Sequence, residues 1–136
     1  MALRPGDHAI APEVMYWGLR KWLRQFARDY EVVPVEFGSC LHLKTAVTLV
    51  GPRTLLINPD CVSHDVFRDV SFIDVDPSEP FAANALLLGD RVIVEAAHFR
   101  TRAKLEGLGV RVVPVDMSEL AKAEGGVTCC SVIVER

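Results

Sequence analysis

The stretch Val32-Val-Pro-Val-Glu-Phe37 recurs as Val112-Val-Pro-Val-Asp-Met117, and at the same offset Val47-Thr48 recurs as Val127-Thr128. Halfway between lies an intermediate copy, in which Ala46–Arg53 resembles Asn84–Arg91, with Gly51 over Gly89 and Arg53 over Arg91. The repeating unit is therefore about 40 residues long. A unit of that size cannot cover both faces of its own sheet, so neighbouring copies must bury what each leaves open. A radial stack of α/β units is the expected architecture.

Within each copy the patterning predicts two strands joined by a tight turn, then a helix, then a third strand. Ala46–Val50 and Thr54–Asn58 flank Gly51-Pro52-Arg53, and Ala85–Leu88 and Arg91–Glu95 flank Gly89-Asp90. Short helices are expected near Val62–Arg68 and His98–Gly107, with strands after them at Ser71–Val75 and Val110–Val115. Ahead of the first copy, apolar residues from Val14 to Ala27 recur at helical spacing, predicting an amphipathic helix over Ala11–Tyr30 with Pro12 in its first turn. Arg20, Lys21, Arg24 and Arg28 fall between them and read as its solvated side. Glu31–Val35 is β-branched and reads as a strand, and so does Thr128–Val134. The 136 residues, half of them hydrophobic, suit one domain with a real core. Repeat units of roughly 31–69, 70–109 and 110–136 follow, with the helix 11–30 before them and no linker between.

A net charge of −3 with no basic run gives no reason to expect nucleic acid or an anionic membrane as partner. No apolar run approaches the roughly 20 residues that span a bilayer. Met1–Asp7 lacks the apolar core of a secretory signal, and the four cysteines are not spaced like a disulfide framework. A cytoplasmic, reducing setting with free thiols is the expectation.

Chemistry concentrates at Cys129, which follows Glu124-Gly-Gly-Val-Thr128. Glycines let backbone approach a ligand closely, and a thiol attacks electrophilic carbon when its thiolate is stabilised and a histidine moves the proton. His42, in Leu41-His-Leu-Lys44, is the partner that the repeat suggests. It lies beside Val47-Thr48 as Cys129 lies beside Val127-Thr128, and such equivalent ends converge near the axis of a ring-like stack. A cysteine after Gly-Gly also serves as a small buried residue, and a histidine between leucines as a satisfied core group. Cys130, pointing opposite to Cys129 on a strand, is expected in the core. A competing reading is a metal centre from Cys40/His42 and Cys61/His64, at unspecific spacing. Asp60 or Ser63 as a helix cap explains the second pair equally well. No dinucleotide or phosphate-binding glycine pattern is present.

At Leu41-His-Leu-Lys-Thr-Ala-Val47, Thr54-Leu-Leu-Ile-Asn-Pro59, Glu79-Pro-Phe-Ala-Ala-Asn-Ala85 and Lys122-Ala-Glu-Gly-Gly-Val-Thr-Cys-Cys-Ser131 the sequence resembles the dimethylarginine dimethylaminohydrolases. These belong to the guanidine-modifying superfamily, with the arginine deiminases and amidinotransferases. The resemblance runs from about Glu31 to Val134. It implies a partial pentein, an α/β-propeller of ββαβ units, here an open ring of two to three. It implies Cys129 as nucleophile and His42 as acid/base, with no cofactor and no metal. Ala123 and Glu124 map near the substrate's amino group, and Asn84 maps to a shared position that either lines the channel or is a buried structural asparagine. The implied substrate is a small molecule, an arginine derivative.

The chain also departs from that family. A complete member is about twice as long, and its N-terminal half supplies the acidic groups that hold the guanidinium. The carboxylate-gripping arginine and the glutamate that orients the histidine have no counterpart here; Gly6-Asp-His-Ala-Ile10 stands where the arginine is expected. An open ring leaves sheet edges and apolar surface uncovered, so self-association or a complementary N-terminal half is expected. The rival readings are a catalytically silent binding or assembly module and another guanidine-modifying enzyme, an arginine deiminase or amidinotransferase.

Overall fold

A computed structural model describes residues 8–12, 21, 25, 31–36 and 38–134. The chain divides into two compact units, Met1–Gly38 and Ser39–Arg136, although no linker-like composition marks that boundary. In the first unit β1 (His8–Pro12) pairs in parallel with β2 (Glu31–Val35), in the register His8 to Glu31. Ala11 and Pro12 are thus strand residues, which corrects the expected start of the N-terminal helix. A proline is tolerated at the end of a strand whose outer side carries no ladder. Lys21 and Gln25 are helical; the rest of the expected helix lies outside the described residues.

The second unit holds two three-stranded sheets of the same construction. In one, β3 (Val47–Gly51) and β4 (Thr54–Ile57) form an antiparallel hairpin, and β5 (Ser71–Asp74) joins β4 in parallel. In the other, β6 (Leu86–Leu88) and β7 (Arg91–Glu95) form the hairpin, and β8 (Arg111–Val115) joins β7 in parallel. The six strands expected between Ala46 and Val115 therefore form, each within a residue or two of its bounds. In the first hairpin the register slips between Leu49 and Gly51, and Arg53 in the turn adopts φ 67°. The guanidinium of Arg53 donates from Nε to the carbonyl of Asp69 at 2.7 Å, tying this turn to the loop that enters β5.

Helix formation is less even. The expected helix His98–Gly107 forms as Phe99–Gly107, where Thr101 and Leu105 are buried and Arg102 pairs with Glu106 four residues on. Its N-terminus is closed from a distance: Glu79 accepts the amides of Arg100 (2.9 Å) and Thr101 (2.8 Å). Near Val62–Arg68 only a 3-10 turn, His64–Val66, appears, with the Ser63 hydroxyl capping the Asp65 amide. There His64 and Phe67 turn their rings onto Phe72 of β5, and the loop closes through aromatic packing. Two further helices are single turns: α1 (Leu43–Ala46), and α3 (Ser118–Ala121) after α2, the Phe99–Gly107 helix.

The two sheets meet through β3 and β6. Val50, Leu56, Ile73, Val92, Val94 and Leu105 form a common core with the small residues Ala82, Ala83 and Ala85. Fully burying a Leu such as Leu56 or Leu105 is worth about 1.5–3 kcal/mol. No strand forms over Thr128–Val134. Among the described residues nothing supplies it with a ladder, and Val132, Ile133 and Val134 are 88%, 58% and 78% exposed. Cys130 is exposed rather than part of the core, because it sits in a turn instead of alternating along a strand.

Candidate active site

His42 stands at the N-terminal cap of α1 with extended backbone, and its side chain is exposed and makes no capping bond. Its carbonyl accepts the Thr45 amide at 2.9 Å and so starts the turn. The turn is anchored behind the histidine, because Ala46 is wholly buried and its carbonyl accepts the Asn58 amide at 2.8 Å. Asn58 is buried too, donating from Nδ2 to the Pro80 carbonyl (2.9 Å) and accepting the Asp60 amide (3.0 Å). Lys44 reaches Thr48 Oγ1 at 3.0 Å, and desolvation of its ammonium pushes its pKa below the usual lysine value.

Ahead of His42, Cys40 is joined to Cys61 by a disulfide. This corrects the expectation of four free thiols. It also removes the metal reading, since both sulfurs that would have served as thiolate ligands are bonded to each other. Spacing along the chain gave no sign of the bond: the two cysteines meet because the turn after β4 folds back beside the start of α1. Cys129 and Cys130 are free and exposed.

The segment carrying Cys129 begins at the end of α3. The amides of Ala123 and Gly125 both bond the Leu120 carbonyl, at 3.0 and 2.9 Å, and Glu124 between them takes φ 58°. Ala123 and Glu124 are exposed. The two glycines then pass through tight spaces, and the one at Gly126 is already filled by Asn84. A Cβ on Gly125 would lie 3.0 Å from the Leu120 carbonyl oxygen, and one on Gly126 would lie 1.9 Å from Asn84 Nδ2. Beyond them Val127 is buried, and the Cys130 amide bonds the Gly126 carbonyl at 3.1 Å. Val127 thus roots the turn while Cys129 stands out of it.

Asn84 grips the same turn. Its Oδ1 accepts the Thr128 amide at 3.1 Å and the Thr128 hydroxyl at 2.7 Å, and its Nδ2 lies 4.0 Å from Cys129 Sγ. At 9% exposure its carboxamide is spent largely on this loop. His42, Asn84 and Cys129 all belong to the Ser39–Arg136 unit. Two open clefts of about 700 and 740 Å³ lie elsewhere, one bordered by His64, Phe72 and Lys104, the other by Pro52, Leu87 and Arg111; neither is lined by these three residues.

Compared with known proteins, the chain is 40% identical over 97 residues to the dimethylarginine dimethylaminohydrolase of Pseudomonas aeruginosa, a match covering 71% of this chain and 38% of that protein. The Streptomyces coelicolor dimethylarginine dimethylaminohydrolase is 38% identical over 106 residues, covering 74% of this chain and 38% of its own. A solved structure of the Pseudomonas enzyme complexed with citrulline superimposes with a TM-score of 0.76 at 34% identity over 93% of this chain. The chain is a relative of the dimethylarginine dimethylaminohydrolases. It spans 38% of these two curated relatives and 51% of the solved chain. An amidinotransferase from Microseira wollei shares the α/β fold, with a TM-score of 0.80 at 19% identity. No family model matches the chain. No helix among the described residues is long and apolar enough to cross a membrane.

Proposed function

We propose that this chain is the nucleophile-bearing part of a C–N hydrolase of dimethylarginine dimethylaminohydrolase type, acting on the guanidinium of a methylated arginine. The Cys129 thiolate attacks the guanidinium carbon, and the C–N bond to dimethylamine breaks as His42 gives the leaving amine its proton. Water, deprotonated by His42, then adds to the thiouronium carbon, and the C–S bond breaks to return the thiolate and release citrulline. Histidine serves both steps because its ordinary pKa lies near neutrality. The observation that carries this reading is the exposed Cys129 on a turn packed so closely that Asn84 fills the space of a side chain at Gly126. Ala123 and Glu124, on the exposed backbone before it, are proposed to border the substrate's amino group.

The ring is proposed to be an open pentein of ββαβ units, completed by a second copy or by a complementary N-terminal half that supplies the missing guanidinium and carboxylate contacts. A second reading, a silent assembly module, draws on the exposed Val132–Val134 segment. Native mass measured with citrulline release from methylated arginine, for the chain alone and mixed with a candidate N-terminal half, separates them. Turnover on closure of the ring supports the hydrolase; assembly with neither turnover nor selective labelling of Cys129 by 2-chloroacetamidine supports the module.

A further inference from the structure

We infer that Asn84 is a positioning residue, which acts on the proposed reaction through Thr128 by fixing the turn that aims the Cys129 sulfur; the inference rests on the reading of Cys129 as nucleophile. The Thr128 amide is a donor only, so the Asn84 atom 3.1 Å from it is the carboxamide oxygen. The Thr128 hydroxyl gives its proton to the same oxygen. With the oxygen so committed, the NH2 group faces the Cys129 sulfur. The orientation of the carboxamide is therefore dictated by its partners rather than chosen between two flips.

Gly126 makes the fit unforgiving. Its α-carbon sits so close that a Cβ would lie 1.9 Å from Nδ2 and 2.5 Å from Cγ of Asn84, so the carboxamide occupies the space that a side chain at 126 would need. Asn84 itself is held by its backbone amide on the Phe81 carbonyl at 3.0 Å, and its neighbours Ala83 and Ala85 are wholly buried. The rigid core under β6 thus reaches a turn that no strand holds in place. Nucleophilic attack needs the sulfur in a narrow range of approach, and on this turn the side-chain bonds from Asn84 supply what a sheet would otherwise supply.

The test is the kinetics of Cys129 alkylation by 2-chloroacetamidine in the full chain, read by peptide mass spectrometry beside Cys130. Asn84→Leu keeps the volume and removes both polar atoms; the maximal labelling rate of Cys129 is expected to fall about tenfold with the half-saturating probe concentration unchanged. Thr128→Val is expected to lose several-fold, and Thr128→Ser, which keeps both donors, to restore it. Combined with Asn84→Leu, Thr128→Val should cost nothing further, because the two act through one contact. In the unsubstituted protein the Asn84 side-chain amide resonances should shift when Cys129 is alkylated, a measurement that stands even if Asn84→Leu does not fold. Equal maximal rates for Asn84→Leu and the parent, additive losses, or unmoved resonances overturn the inference. If the parent labels Cys129 no faster than Cys130, the nucleophile reading itself fails and this one with it.

Discussion

Cys40 and Cys61 are bonded to each other, so the residue two places before His42 is covalently fastened to the turn that follows β4. His42 is exposed and makes no side-chain bond of its own. Its position is set by what surrounds it in the chain: the disulfide on one side, and the buried Ala46 on the other.

Reduction of that bond, or Cys40→Ser, is expected to lower unfolding free energy by about 3 kcal/mol, the loop-closure value for cysteines 21 residues apart. Urea unfolding with and without a thiol reductant measures it. The parent should lose stability on reduction and Cys40→Ser should not respond. Equal reductant sensitivity in both would refute the assignment.

Glu79 supplies a second expectation. Burial alone pushes its carboxyl up, but the amides of Thr101 and Arg100 outweigh that and hold the pKa below the usual glutamate value. A folded pKa below the unfolded one means the contribution is present above the unfolded pKa, about 4.3. It fades as pH falls through the folded value. Glu79→Ala is expected to cost about 1–2 kcal/mol near neutral pH by uncapping α2, with the difference shrinking in acid. Unfolding midpoints across that range read it, and a pH-independent difference would contradict the sign.

Gly126→Ala should be costly because its Cβ would collide with a carboxamide that is held on its far side by Thr128. About 1–3 kcal/mol of destabilisation is expected, typical of an overpacked site. Labelling of Cys129 should slow with it. A variant as stable and as reactive as the parent would mean that Asn84 moves freely.

His42→Ala separates chemistry from folding. As an exposed residue without side-chain bonds it should change stability by no more than about 0.5 kcal/mol. Citrulline release by the completed assembly should fall by about 10²–10⁴-fold, the usual range for losing an acid/base group. Undiminished turnover would remove His42 from the mechanism, whatever the fate of Cys129.

The repeat in Val32–Val35 and Val112–Val115, together with the Gly51 and Gly89 turns, was enough to read the order of strands, because alternation, β-branching and turn residues act locally. The same reading extended too far at both ends. It took Ala11 and Pro12 into a helix although they pair with β2, and Thr128–Val134 into a strand although nothing among the described residues pairs with it. A strand needs a partner as well as a propensity, and the partner is not written in its own residues.

What the sequence determined by itself was the α/β character and the order of the strands from Glu31 to Val115. Tertiary structure alone decided that Cys40 meets Cys61, that Glu79 closes a helix some twenty residues ahead, and that Asn84 lies on Gly126 and holds Thr128. Each of these joins residues far apart in the chain through single atoms at bonding distance, and periodicity along the chain carries no information about such pairs.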